Sequence, residues 1–365
     1  MTLPAAVTSL FHVLAHPESA SRLDLAAWDG VVRAGRTARL LATLRARLER
    51  AGMLEAVPAP VRNHLDSDAA LARFQRQAVL WTLARVEAAL EGLEAPKVLL
   101  KGAAYLVQGL PCAEGRLVGD VDLLVPRTAL PEVEARLREE GWQSKSLDPH
   151  DERYYRAWTH ELPPLRHPDH ALELDVHHTI LPPLGKLRPA PERLLAVSRP
   201  VAGSPWRVLA PADQVLHAAA HLFHDSDCGN RLRDLVDLDS LVRGFGAEPG
   251  FWEALQERAH VLGLGRPLWY GLHFASRFFS TPMPPAFAGQ IRGAVPPAPV
   301  RWLMTPLIAS VLPPPDPDRL PGPGRRLARR LLLARATWLK LPLGLLVQHL
   351  FVKARRSAAE TVNVP

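Results

Sequence analysis

The sequence predicts an α+β protein, with a small mixed sheet inside residues 96–182, a helical layer before it and a helical region after it. Three observations predict this. Apolar residues recur at three- and four-residue spacing before Ala95, short apolar runs alternate with helical segments up to Pro182, and the helical period returns from Ala212. The middle region also carries Asp120, Asp122 and Asp175 inside apolar runs, and a strand presents alternate side chains on one face.

Ala34–Met53 and Ala69–Leu93 read as amphipathic helices separated by Pro58 and Pro60. Asp66-Ser67-Asp68 offers side-chain oxygens to cap the second, and Phe74, Leu80, Leu83, Val86 and Leu90 form its core-facing stripe. After Ala95-Pro96 the period changes. Val98–Leu100 reads as a buried strand, Ala103–Val107 as a helix start, Val121–Val125 as a strand, and Thr128–Glu140 as a helix stopped by Gly141. Tyr154–Leu165 and Ala171–Ile180 read as two more strands joined by a turn at His167-Pro168-Asp169-His170. Pro182, Pro183, Pro189 and Pro191 interrupt the pattern before helices at Ala212–Phe223, Arg231–Val242 and Phe251–Leu262. Pro282–Pro299 and Pro313–Pro323 break regular structure again. The expected divisions are 1–95, 96–182, 183–312, and a proline-rich linker with a basic apolar tail at 313–365.

A chain of 365 residues can bury a sizeable core. Its net charge of +7 is a property of the tail, where Arg319 to Arg356 holds ten basic residues and no acidic one. Without them the body is mildly acidic. Arginine far outnumbers lysine, as a GC-rich coding sequence produces, so specific nucleic-acid binding is not expected. Cys112 and Cys228 are too few for a disulfide framework, and His12, His16 and Glu18 interrupt what would be a signal peptide. A cytoplasmic location is the expectation. The tail's longest uncharged run, Leu341–Val352, is shorter than the roughly twenty residues of a membrane span and contains Pro342. Docking on the protein's own body is the ordinary expectation for this tail, and peripheral contact with an anionic membrane surface is the alternative.

The chemistry concentrates in residues 97–126. Asp120 and Asp122 share a strand face, and a third carboxylate from a neighbouring strand would let the set hold two Mg²⁺ ions. Asp175 is the natural third member, flanked by Leu174 and Val176, with Glu173 and His177 on the same face at period two. Gly102, at a strand-to-helix turn, suits close approach of backbone to a phosphate near free N–H groups. A D-x-D alone is weak evidence, since the exposed face of an edge strand produces it too. The ordered set of strand, glycine, helix, D-x-D strand, helix and Asp-bearing strand is far more specific.

That set resembles the core of the DNA polymerase beta-like nucleotidyltransferase superfamily, and within it a bacterial group known only as nucleotidyltransferase family proteins. The resemblance rests on Leu100-Lys101-Gly102, Arg116, Gly119-Asp120-Val121-Asp122-Leu123-Leu124-Val125, Asp175-Val176-His177, and His217 through His221 to Arg231-Leu232 and Asp237, covering roughly residues 70–245. It implies a nucleotidyltransferase core that moves a nucleoside monophosphate from an NTP, ATP foremost, to an unidentified acceptor and releases pyrophosphate. Asp120, Asp122 and Asp175 would be the catalytic metal ligands, Lys101, Gly102 and Arg116 would bind nucleotide, and Glu173, His177, His221, Arg231 and Asp237 would support the metals or the acceptor. Ala103 stands where the wider superfamily commonly has Ser or Gly, so Lys101 or Arg116 would take over part of the phosphate contact.

Two other readings stand beside it. His217 and His221 lie one helical turn apart with His224-Asp225 close behind, the outline of a metal-dependent phosphohydrolase, with His177 and Asp237 as nominal further ligands. A non-catalytic nucleotide-binding protein is the other, and the three retained carboxylates count against it.

Overall fold

The structure, a computed structural model, describes residues 3–144, 159–169, 172–224, 228–316, 318–342 and 344–345. Its N-terminal layer comprises α1 (Ala5–Ala15), α2 (Leu25–Thr37), α3 (Leu41–Arg50) and α4 (Ala59–Ala89). Asp24 caps α2 by accepting the Ala27 N–H at 2.8 Å. The single helix predicted over Ala34–Met53 is two helices, broken at Arg39, which adopts φ 58°. Leu40 and Leu41 are buried at the break, so the apolar period runs through it and conceals it. The cap predicted at Asp66–Asp68 is the interior of α4. That helix begins eight residues earlier than Ser67, with Pro60 in its first turn, where a missing N–H costs nothing. Leu83, Val86 and Leu90 face the core with Val79, whereas Phe74 is 66% and Leu80 37% exposed. Residues turn by about 100° each along a helix, so Leu80, one position past buried Val79, rotates off the stripe.

A mixed seven-stranded sheet follows, in the order β3-β4-β5-β2-β1-β7-β6. Its strands are β1 (Val98–Leu100), β2 (Asp120–Leu124), β3 (Gln143–Ser144), β4 (Leu165–Arg166), β5 (Glu173–His177), β6 (Arg199–Pro200) and β7 (Arg207–Val208). Helices α5 (Lys101–Val107), α6 (Leu130–Glu139) and α7 (Pro191–Ala196) lie between them in sequence. Central β2 runs parallel to β5 and antiparallel to β1, which pairs in parallel with β7. The sheet is therefore wider than residues 96–182, because the short β6–β7 hairpin adds an edge that its two-residue strands do not announce. Most of the strand predicted at Tyr154–Leu165 lies outside the described residues. Its described end supplies β4 and an isolated bridge between Glu161 and His177.

Helices α8 (Pro211–Phe223), α9 (Leu232–Phe245), α10 (Phe251–Val261) and α11 (Gly265–Phe279) pack over the sheet region, and one apolar core runs from α1 to the C-terminal helices. The proline-rich segment after α11 includes short α12 (Pro285–Gln290), and α13 (Ala298–Val311) precedes the second proline cluster. Beyond that cluster α14 (Pro323–Lys340) docks on the body. It buries Ala328, Leu332 and Ala336, and Arg325 donates to the carbonyls of Ser310, Val311 and Pro313. No helix among the described residues is long and apolar enough to cross a membrane.

The N-terminal layer grips the loop before β2 at one point. Gly115 has φ +69°, and a Cβ there would fall 2.2 Å from the Ala42 carbonyl oxygen of α3, while Thr43 donates its hydroxyl to the Gly115 carbonyl at 3.2 Å. Gly115→Ala combines a forbidden backbone conformation with a backbone clash. Urea unfolding should show a loss of about 2–4 kcal/mol.

Candidate active site

The site begins at the turn from β1 into α5. Lys101 adopts φ 45°, a left-handed conformation that costs a non-glycine residue about 1–2 kcal/mol. The turn sends its ammonium to Asp122 Oδ1 at 2.7 Å. His177, at the end of β5, meets the same oxygen through Nε2 at 3.0 Å. Asp122 is 2% exposed, so this carboxylate is buried between two partners. Burial opposes its charge, but Lys101 and His177 overcome that and hold its acidity well below the usual carboxylate range. Burial likewise works against the charge on His177, and the Asp122 bond raises it.

Register decides which carboxylates meet. Asp120 pairs with Glu173 and Asp122 with Asp175 across the parallel β2–β5 ladder. Asp120 is exposed at the strand's start, while Asp175 Oδ1 is buried without a hydrogen-bond partner. Burial first, then the charges of Glu161 and Asp122, push the Asp175 carboxyl up to about 7. A carboxylate oxygen left bare beside further carboxylates is what a divalent cation would satisfy, and the hard oxygen donors Asp120, Asp122 and Asp175 fit one. Glu173, expected on the same face, is drawn away to Arg166, which bonds its Oε1.

Beside the strand ends lies a cleft of about 390 Å³, lined by Lys101 and Asp120 together with Arg116, His221, Arg231 and Asp237, all anticipated from sequence. Gly102 has another role than the one expected. A Cβ there would meet the Arg116 guanidinium at 2.3 Å, so the glycine makes room for arginine. Arg116 donates to Asp237 at 2.8 Å and lies over the Tyr105 ring. Burial opposes its charge, but Asp237 more than offsets this and raises its pKa. Arg231 bonds both Asp234 and His221, whose Nε2 accepts at 2.6 Å. Burial, with Lys101 and Arg231 nearby, keeps His221 neutral.

Sequence reasoning missed Arg39, Asn230, Arg233 and Asp234 in this lining. Arg39 sits in the hidden helix break, and its guanidinium has no carboxylate partner among the described residues. Arg233 and Asp234 flank the Arg231-Leu232 motif, which could have drawn attention to them. Also missed were His160 and Glu161, a His-Glu dipeptide inside a predicted strand. With His177 they bring three ligand atoms within 4.8 Å of one another, the one group of three metal-capable side chains among the described residues. His217 and His221 belong to no such group. Burial drives His217 to about 3, His177 is committed to Asp122 and Asp237 to Arg116, and Asp225 lies outside the described residues. The helical-histidine hydrolase site therefore does not assemble among the described residues.

A mixed sheet thus carries Asp120, Asp122 and Asp175 on two paired strands beside a cation-lined cleft, with helices on its flanks. The chain belongs to the family described as "Uncharacterised nucleotidyltransferase", whose model matches residues 24–280. The match takes in α2 to α4 and α8 to α11, more than the 70–245 resemblance. No curated protein and no solved structure matches the chain significantly.

Asp175 makes stability depend on pH. Its folded value of about 7 lies above the roughly 3.9 of an unfolded Asp, so the native state holds a proton that the unfolded state has lost. Its stabilising contribution is complete below about pH 4 and disappears as pH rises through 7. Asp175→Asn should flatten that decline in metal-free protein, leaving the variant on the order of 1 kcal/mol more stable at pH 8 by thermal unfolding. Divalent cation should raise the wild-type midpoint and leave the variant's unchanged.

Proposed function

We propose that the protein transfers a nucleoside monophosphate from an NTP, with ATP the first candidate, to an acceptor group in a Mg²⁺-dependent reaction that releases pyrophosphate. The observation that carries this reading is the β2–β5 register, which sets Asp122 beside Asp175 and starts β2 with Asp120, itself part of the lining of the cation-rich cleft. Asp120, Asp122 and Asp175 would hold the metal, which when bound neutralises phosphate charge and lowers the barrier to attack at the α-phosphorus.

The remaining roles belong to the protein's own residues. Lys101 and His177 fix Asp122 in one orientation from two directions. Arg39, Arg231 and Arg233, with Lys101 and Arg116, make the cleft attractive to a polyphosphate, and among the described residues Arg39 is the one of these without a carboxylate to give up first. Asp175, with its carboxyl near neutrality, is suited to take the proton from the acceptor as it attacks, because a base poised near the working pH balances availability against strength.

Asp120→Asn with Asp122→Asn should abolish Mg²⁺-dependent pyrophosphate release while far-ultraviolet circular dichroism stays unchanged; undiminished turnover would sink the assignment. Arg39→Ala should weaken NTP binding in calorimetry by about tenfold or more, the loss of a charge-assisted hydrogen bond. His177→Ala should lower metal affinity or activity roughly 10- to 100-fold, as removing the partner of a metal-binding carboxylate does.

A further inference from the structure

A second cavity, far larger than the cleft at about 940 Å³, lies among α10, α11, α13 and α14 and the loop that carries Lys186. It shares no lining residue with the cleft. Its walls are apolar, built from Phe223, Tyr270, Ile291, Met304 and Leu339 among others. Lys186, Arg266 and Arg335 line it as well, with His224 and His260, and no aspartate or glutamate among the described residues does. Arg335 donates to the Phe223 carbonyl at 2.9 Å and Lys186 sits over the Trp338 ring, so two of the cations are held by neutral partners. Arg266 is exposed and makes no ion pair among the described residues.

An apolar volume of this size rules out an inorganic anion as its natural occupant, and the one-signed polar groups rule out a cation. Both properties are met by one molecule that has an anionic head and a long hydrocarbon tail. We propose that this cavity binds a single-chain anionic amphiphile, an acyl or prenyl chain ending in phosphate or carboxylate, with the head among Arg266, Arg335 and Lys186 and the chain along Tyr270, Ile291 and Met304. Much of one wall, Val300, Met304, Arg335 and Trp338, comes from α13 and α14, which lie beyond the matched residues 24–280. The cavity is thus closed where the C-terminal helices meet the matched region, whose Lys186, Arg266 and Tyr270 form the rest of its lining.

The test is calorimetric titration of the full chain with decyl phosphate, dodecyl phosphate, dodecanoate and dodecyltrimethylammonium, each below its critical micelle concentration. Each methylene taken from water strengthens binding about fourfold, so the dodecyl phosphate should bind about 15-fold more tightly than the decyl. The trimethylammonium should not bind, and comparison of phosphate with carboxylate identifies the preferred head. Val300→Trp, a partly exposed wall position, should fill the cavity and weaken binding at least about tenfold. Arg266→Gln should weaken both anions about tenfold and keep the chain-length dependence. Absence of binding, indifference to head charge or chain length, insensitivity to Val300→Trp, or binding only to phosphatidylglycerol vesicles with none to the monomeric amphiphiles would overturn the proposal. None of these readouts involves NTP, so they stand or fall separately from the transfer reaction.

Discussion

The buried carboxylate of Asp122 is the constraint on which the site depends. A charge that is 2% exposed survives only if its environment compensates it, and the fold supplies an ammonium and an imidazole on the same oxygen. Each partner arrives by a different route. Lys101 reaches Asp122 because the β1–α5 turn accepts a left-handed residue, and His177 reaches it because β5 is parallel to β2 and in a register that places Asp175 beside Asp122. Shifting β5 by one residue would turn Asp175 and His177 to the opposite face together. The core leucines and valines on the other face of β2 and β5 forbid that slip, so apolar packing on one face sets the electrostatics on the other.

A second buried ion pair organises the far side of the cleft. Arg116 and Asp237 join the loop before β2 to α9, and the space for that guanidinium exists only because residue 102 has no side chain. The Lys-Gly pair thus serves two networks, lysine the carboxylate strand and glycine the arginine. This also explains why Ala103, which lacks a hydroxyl, fits here. The start of α5 is packed, with Gly102, Ala103 and Ala104 all buried, and the cations of the cleft other than Lys101 come from other elements.

Much of this was legible in the sequence. The α+β class, the order of the central elements, the D-x-D strand and its Asp175 partner follow from apolar periodicity, because burial on one face leaves a period that a reader can count. What periodicity does not encode was missed. The break at Arg39 lies between buried leucines, so hydrophobic spacing runs through it. Phe74 and Leu80 are apolar but exposed, a reminder that an apolar residue is not bound to be inside. The lining of the cleft came partly into view, since His221, Arg231 and Asp237 stood in a recognisable motif. Arg39 did not, because what brings it there is the packing of α2 and α3 against the loop at Gly115, a long-range contact without local signature.

The distribution of paired and unpaired charge around the cleft argues for an anionic ligand over a purely structural network. A network built for stability would leave each ion satisfied, since an uncompensated charge near low-dielectric walls costs more than a paired one returns. Here Arg116 is satisfied by Asp237 and Lys101 by Asp122, and Arg231 and Arg233 share Asp234. Arg39, exposed at the cleft, has no carboxylate partner among the described residues and stands at a backbone conformation that arginine rarely adopts. On β5, beside Asp122, Asp175 keeps a buried oxygen without a hydrogen-bond partner among the described residues. The exposed Arg39 costs nothing where it stands and is available to an anion entering the cleft, whereas the bare buried oxygen of Asp175 is a cost that a cation held at β2 and β5 would relieve.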